Sequence, residues 1–80
     1  MTADNKKQYA FFVDGKRYES VSESLTGTAI KATAAVQAAY QLFLEEEGDT
    51  PDKPITDSEA VSLAGREKHF FAVPPATFGG

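Results

Sequence analysis

The clearest pattern in the chain is the alternation of apolar and polar positions in "QYAFFVDGKRYESV", interrupted once by Asp14-Gly15. Asp-Gly between two alternating runs is a strong cue for a two-residue hairpin turn, because both turn residues must take positive φ. Such a turn sets Val13 opposite Lys16, Phe12 opposite Arg17 and Phe11 opposite Tyr18. Cross-strand partners share a face of the sheet, so Tyr9, Phe11, Val13 and Tyr18 form the expected core face. Ala10, Phe12, Arg17 and Glu19 take the other face, which leaves Phe12 outside.

Further along, the period changes. "LTGTAIKATAAVQAA" predicts a helix, with Thr26 as N-cap and an alanine-rich body of high propensity. Ile30 and Ala34 share one face, with Leu25 or Val36 closing the contact. The helix is expected to end between residues 36 and 39, where neither glycine nor proline marks a stop. "YQLFLEEE" then reads as a strand, with Tyr40, Leu42 and Leu44 inward and Phe43 outward. The acidic segment 45–54, with its Gly and Pro, predicts a loop. "ITDSEAVSL" predicts a short turn and strand anchored by Ile55, Val61 and Leu63.

The last strand is "EKHFFAV", whose adjacent phenylalanines must point to opposite faces. The expectation is Phe71 and Val73 inward, with His69 on the same parity, and Phe70 and Ala72 outward. Pro74 and Pro75 end the ladder. Residues 1–7 are polar and read as a loose N-terminus, 8–73 as the domain, and 74–80 as an extended tail. This order of elements predicts an α+β roll of the β-grasp kind, a four- or five-stranded mixed sheet with one helix across one face.

Composition narrows the chemistry. Eighty residues allow one domain, and 41% hydrophobic with 25% charged residues is ordinary globular usage, so a folded chain is expected. The absence of cysteine removes disulfides, thiolate metal sites and a Cys nucleophile. The net charge is −4 and the eight basic residues are scattered, so no concentrated basic face awaits nucleic acid. No apolar run approaches the roughly 20 residues of a membrane-spanning helix, and "MTADNKKQ" lacks a signal-peptide core. A soluble cytoplasmic protein with no membrane partner is therefore expected.

His69 is the single histidine and reads as a strand residue near the sheet edge. Glu45, Glu46, Glu47, Asp49 and Asp52 do not follow the calcium-loop spacing and read as a solvated loop. With no phosphate-binding glycine loop and no Ser/His/Asp motif, the chain is expected to be no enzyme, to need no cofactor and to hold no metal. The outward aromatics are more informative. Phe43 and Phe70, joined by Phe12, predict an exposed patch of the kind that meets a protein partner.

The C-terminal stretch "VPPATFGG" combines a stiff Pro pair with two glycines. From Pro74 to Gly80 it reaches on the order of 23 Å when extended. Bare glycines suit passage through a narrow enzyme channel. A free carboxylate does not react with amines until it is activated, for example as an acyl-adenylate, and passed to a thiol.

On "FFVDGKRYE", "LTGTAIKATA", "YQLFLEEE" and "FFAVPPATFGG", together covering about residues 8–80, the chain resembles ubiquitin-like proteins, and more specifically bacterial multiubiquitin-type domains. The resemblance implies a β-grasp modifier acting within a bacterial ubiquitination-like operon, some of which are associated with defence against phage. It implies as partners an adenylating activating enzyme that uses ATP and magnesium, a conjugating enzyme with a catalytic cysteine, a zinc metalloprotease that trims or removes the modifier, and target proteins. Gly80 matches the acyl donor, and Pro74, Pro75, Ala76, Thr77, Phe78 and Gly79 form the tail those enzymes would read. Phe43 and Phe70 fall near the apolar recognition patch of ubiquitin.

Two departures qualify the likeness. Thr77 and Phe78 precede the glycines where ubiquitin has basic side chains, so eukaryotic enzymes that read a basic tail are not the expected partners. "ATAAVQAA" lacks the glycine and proline expected from relatives at the helix end. Lys6, Lys7, Lys16, Lys31, Lys53 and Lys68 are six possible acceptors for a further copy, and nothing in the sequence distinguishes one. Two other readings stand beside the modifier: a sulfur carrier ending in a thiocarboxylate, and a non-covalent binding module.

Overall fold

The computed structural model describes residues 8–75. Strands β1 (Tyr9–Val13) and β2 (Lys16–Ser20) form the hairpin in the expected register, with Phe11 opposite Tyr18 and Val13 opposite Lys16. Asp14 and Gly15 take φ of 54° and 84°, the pair of left-handed conformations a type I′ turn requires. A three-residue strand β3 (Ser24–Thr26) then leads into helix α1 (Gly27–Thr33). The Thr26 hydroxyl caps the helix, accepting from the Ala29 N–H at 3.1 Å.

Gly27 starts the helix hard against the 56–59 turn. Its N–H donates to the Glu59 carbonyl at 3.1 Å, and the Thr28 N–H donates to that of Asp57 at 3.1 Å. A Cβ on Gly27 would lie 2.2 Å from the Thr56 oxygen, a backbone atom that cannot step aside.

The helix is shorter than its composition suggests. It ends at Thr33 because Ala35 turns left-handed, with φ of 60°. The Val36 N–H bonds back to the Lys31 carbonyl at 2.8 Å and the Ala35 N–H to that of Ala32 at 3.2 Å. These two bonds are the Schellman pattern, usually built on glycine. An alanine pays steric strain there, so Ala35→Gly is expected to stabilise the domain by about 1 kcal/mol. Urea titration of the variant checks this, and a lowered midpoint would contradict the assigned cap.

Strands β4 (Gln41–Leu44), β5 (Lys53–Ile55), β6 (Ala60–Ser62) and β7 (Lys68–Val73) complete the chain. The main sheet has the order β2-β1-β7-β4-β5, and β3 pairs with β6 in a separate two-stranded sheet. β1 and β7 run parallel, while the other neighbours are antiparallel. Phe11, Val13, Leu42, Ile55 and Phe70 from the main sheet pack with Ile30 of the helix and with Val61 and Leu63. A mixed five-stranded sheet with one helix across its inner face is the β-grasp α+β roll.

Several expectations need correction. Phe70, not Phe71, points into the core: it is 1% exposed and meets Phe11 edge-on at 6.1 Å. The parallel register sets it beside inward Val13, and strand alternation then turns His69, Phe71 and Val73 outward. Val73 is accordingly exposed, and so is His69. Tyr40 precedes β4 and is only partly buried. The 45–54 segment is not wholly loop, since β5 begins at Lys53.

Candidate functional site

The face of the sheet opposite the helix carries two stacked aromatic pairs. Phe12 on β1 is paired with His69 on β7, with ring centroids 4.5 Å apart and planes 4° from parallel. Phe43 on β4 is paired with Phe71 on β7, at 5.1 Å and 10°. Pro54 stands opposite Phe43 on the edge strand β5. The three phenylalanines are half-buried, because each ring shields its neighbour. Phe12 and Phe43 therefore sit where the alternation places them, and Phe71 takes the position expected of Phe70.

The aromatic face runs into a cleft at the end of the sheet. One step past the last β4–β7 pair, the Glu45 N–H donates to the His69 carbonyl at 2.8 Å. Glu45 has the parity of Phe43 and so emerges on the same face, beside His69. The cleft is about 200 Å³ and is lined by Leu44, Glu45, Glu46, Glu47, Arg66, Glu67, Lys68 and His69. Arg66 is ion-paired with Glu47, and Lys68 Nζ donates to the Ala64 carbonyl at 3.4 Å.

At the opposite end of β7, Asp14 holds the strand just before Pro74. β1 has ended at Val13, so the parallel ladder has no further strand to offer. The Asp14 N–H donates to the Phe70 carbonyl at 2.9 Å, and Asp14 Oδ1 accepts from the Ala72 N–H at 3.2 Å. One turn residue thus extends the ladder almost to Pro74. Pro74 and Pro75 are exposed and outside any strand. The expected tail residues Ala76, Thr77, Phe78, Gly79 and Gly80 lie outside the described residues.

With fold and surface in place, one comparison decides the family. The multiubiquitin family model matches residues 9–75. The chain belongs to the multiubiquitin family. Neither a curated protein nor a solved structure matches it.

In this multiubiquitin domain the described lysines are not equivalent, which sequence reasoning did not reveal. Lys31 is 5% exposed, and its Nζ donates to Asp57 Oδ1 at 2.7 Å, the Ala38 carbonyl at 2.8 Å and the Tyr40 carbonyl at 2.9 Å. All three ammonium protons are engaged, so this amine is closed to chemistry while the domain is folded. Lys53 Nζ pairs with Glu59 Oε2 at 2.9 Å, and that hydrogen bond holds the Glu59 carboxyl below the usual carboxylate range. Lys16 sits over the Tyr18 ring, 5.7 Å from its centroid, on an exposed position of β2. Lys6 and Lys7 lie outside the described residues. No helix among the described residues is long and apolar enough to cross a membrane.

Proposed function

We propose that this multiubiquitin domain is a protein modifier, with residues 8–73 as the recognised body and 74–80 as the conjugation tail. The observation that carries the reading is family membership over 9–75. An outer sheet face of paired aromatics and a last strand released by Pro74 and Pro75 both support it. The chemistry belongs to partners, and this chain is their substrate. The Gly80 carboxylate, present at a natural end or exposed by a trimming metalloprotease, attacks the α-phosphate of ATP-magnesium on an activating enzyme and releases pyrophosphate. A cysteine thiolate displaces AMP to give a thioester, which passes to the cysteine of a conjugating enzyme. A target amine then displaces that thiol to leave an amide. We place this sequence in the cytoplasm of a bacterium, in a ubiquitination-like pathway that serves defence against phage.

Deletion of Gly79 and Gly80 tests the proposal. With its activating and conjugating enzymes and ATP-magnesium, the full chain is expected to form covalent adducts on target lysines, and the shortened chain none. Mass spectrometry reads both. A gain of one sulfur atom at Gly80 in place of such adducts would assign a sulfur carrier, and unchanged biological activity of the deletion would assign a non-covalent module.

A further inference from the structure

The cleft beside the aromatic face is charged in a way that selects a partner. Glu45, Glu46, Glu47 and Glu67 face Arg66 and Lys68, a formal excess of two negative charges with His69 neutral. The Arg66–Glu47 pair cancels one charge of each sign, which leaves Glu45, Glu46 and Glu67 against Lys68 alone, whose Nζ is drawn to the Ala64 carbonyl. Glu45, Glu46 and Glu67 make no ion pair among the described residues. His69 belongs to both regions, stacked on Phe12 and lining the cleft, so apolar and acidic surfaces are continuous.

We propose that this face docks an amphipathic helix of a partner protein, one that lays an apolar side chain on the Phe43–Phe71 stack and a basic side chain in the cleft. The inference rests on the reading of the domain as a recognised modifier and names the chemistry of what reads it. A sheet face favours a helix over an extended segment, whose backbone N–H and C=O groups would find no partners there, and a helix can also meet the spacing. Phe43 and Glu45, like Phe71 and His69, are two residues apart along a strand, or about 7 Å. Residues three or four apart on a helix lie about 5–6 Å apart at Cβ, and the stem of an arginine covers the remainder. Charge selects the basic side chain. An acidic residue at that position would meet unpaired carboxylates, and like charges across an interface disfavour a partner.

The test uses three synthetic helix-stabilised peptides of about 16 residues, with leucine as the apolar anchor and arginine, glutamine or glutamate four positions later. Each is titrated into the 80-residue protein while backbone amide resonances are followed by NMR. The arginine peptide is expected to shift Phe43, Glu45, Glu67, His69 and Phe71, and to bind about tenfold more tightly than the glutamine peptide, with the glutamate peptide weakest. Raising the salt is expected to shrink that preference. In a Glu45→Gln, Glu67→Gln double variant the preference for arginine disappears while the glutamine peptide binds as before. Phe71→Ser weakens all three.

Equal affinity for the three peptides overturns the proposal, as does the absence of shifts on this face. Concentration-dependent shifts of the same residues without peptide would assign the face to a second copy and overturn it too. No enzyme is present, so failure here leaves conjugation at Gly80 standing, and failure of conjugation leaves this binding test intact.

Discussion

Replacing Phe70 by alanine is expected to remove most of the domain's stability, while the same change at Phe71 leaves it folded. The two residues are adjacent and chemically identical, so the contrast isolates burial. Phe70 is 1% exposed and contacts Phe11 within a core that also contains Val13, Ile30 and Leu42. Truncating a buried phenylalanine costs about 3–5 kcal/mol, combining lost transfer energy with the cavity left behind. A chain of 80 residues has about 4–12 kcal/mol in total. Phe71 instead lies half-buried on the outer face, and its chief loss is the stack with Phe43, about 0.5–1.5 kcal/mol. Urea titration should show a large fall in midpoint for Phe70→Ala and a small one for Phe71→Ala. Equal falls would mean that β7 does not alternate as described.

That pair also shows where sequence patterning stops. In "KHFFAV", Lys68, Phe70 and Ala72 alternate with His69, Phe71 and Val73. Each set has two apolar members and one polar one, so period two does not distinguish the faces. What decides them is non-local: the parallel pairing that sets Val13 beside Phe70. By contrast, the β1–β2 hairpin was legible because its turn is local and the side-chain pattern around Asp14-Gly15 is one-sided. β3, β5 and β6 are three residues each, too short to display a period. The helix stop was hidden because an alanine occupies the left-handed position at residue 35.

The candidate site was legible in the same partial way. Phe12 and Phe43 were placed outward by local alternation, whereas Phe71 depended on the undecided strand. The acidic run 45–47 reads as a solvated loop in one dimension. Only the antiparallel neighbours β4 and β7 bring it against Arg66, Glu67 and His69 and next to the aromatic rings. Asp14 was read as a turn former, and its second task, accepting from Ala72, requires knowing that β7 outruns β1. Charge and aromaticity were visible in the sequence; their adjacency was not.

Lys31→Met is the second change expected to do severe damage, and it separates a structural amine from a reactive one. Methionine retains an apolar stem but no donor. The Ala38 and Tyr40 carbonyls would lose their bonds, and with them the tie from the helix to the segment leading into β4. Hydrogen bonds from a charged donor contribute about 1.5–3 kcal/mol each, so the variant is expected to lose about 3 kcal/mol. Asp57 adds less to this total, because it is 64% exposed and water can solvate its carboxylate once the ammonium is gone. Asp57→Asn should accordingly cost less than about 1 kcal/mol. Lys31→Arg is expected to fail as a rescue, since a planar fork cannot reproduce three bonds diverging from one nitrogen. Denaturant titration of the three variants gives the ranking, and an Asp57→Asn loss equal to that of Lys31→Met would move the main contribution to the ion pair. Lysine acetylation of the native protein, read by mass spectrometry, supplies the chemical counterpart. Lys16 should label readily and Lys31 only on unfolding, because modifying Lys31 requires breaking its three bonds to Asp57, Ala38 and Tyr40.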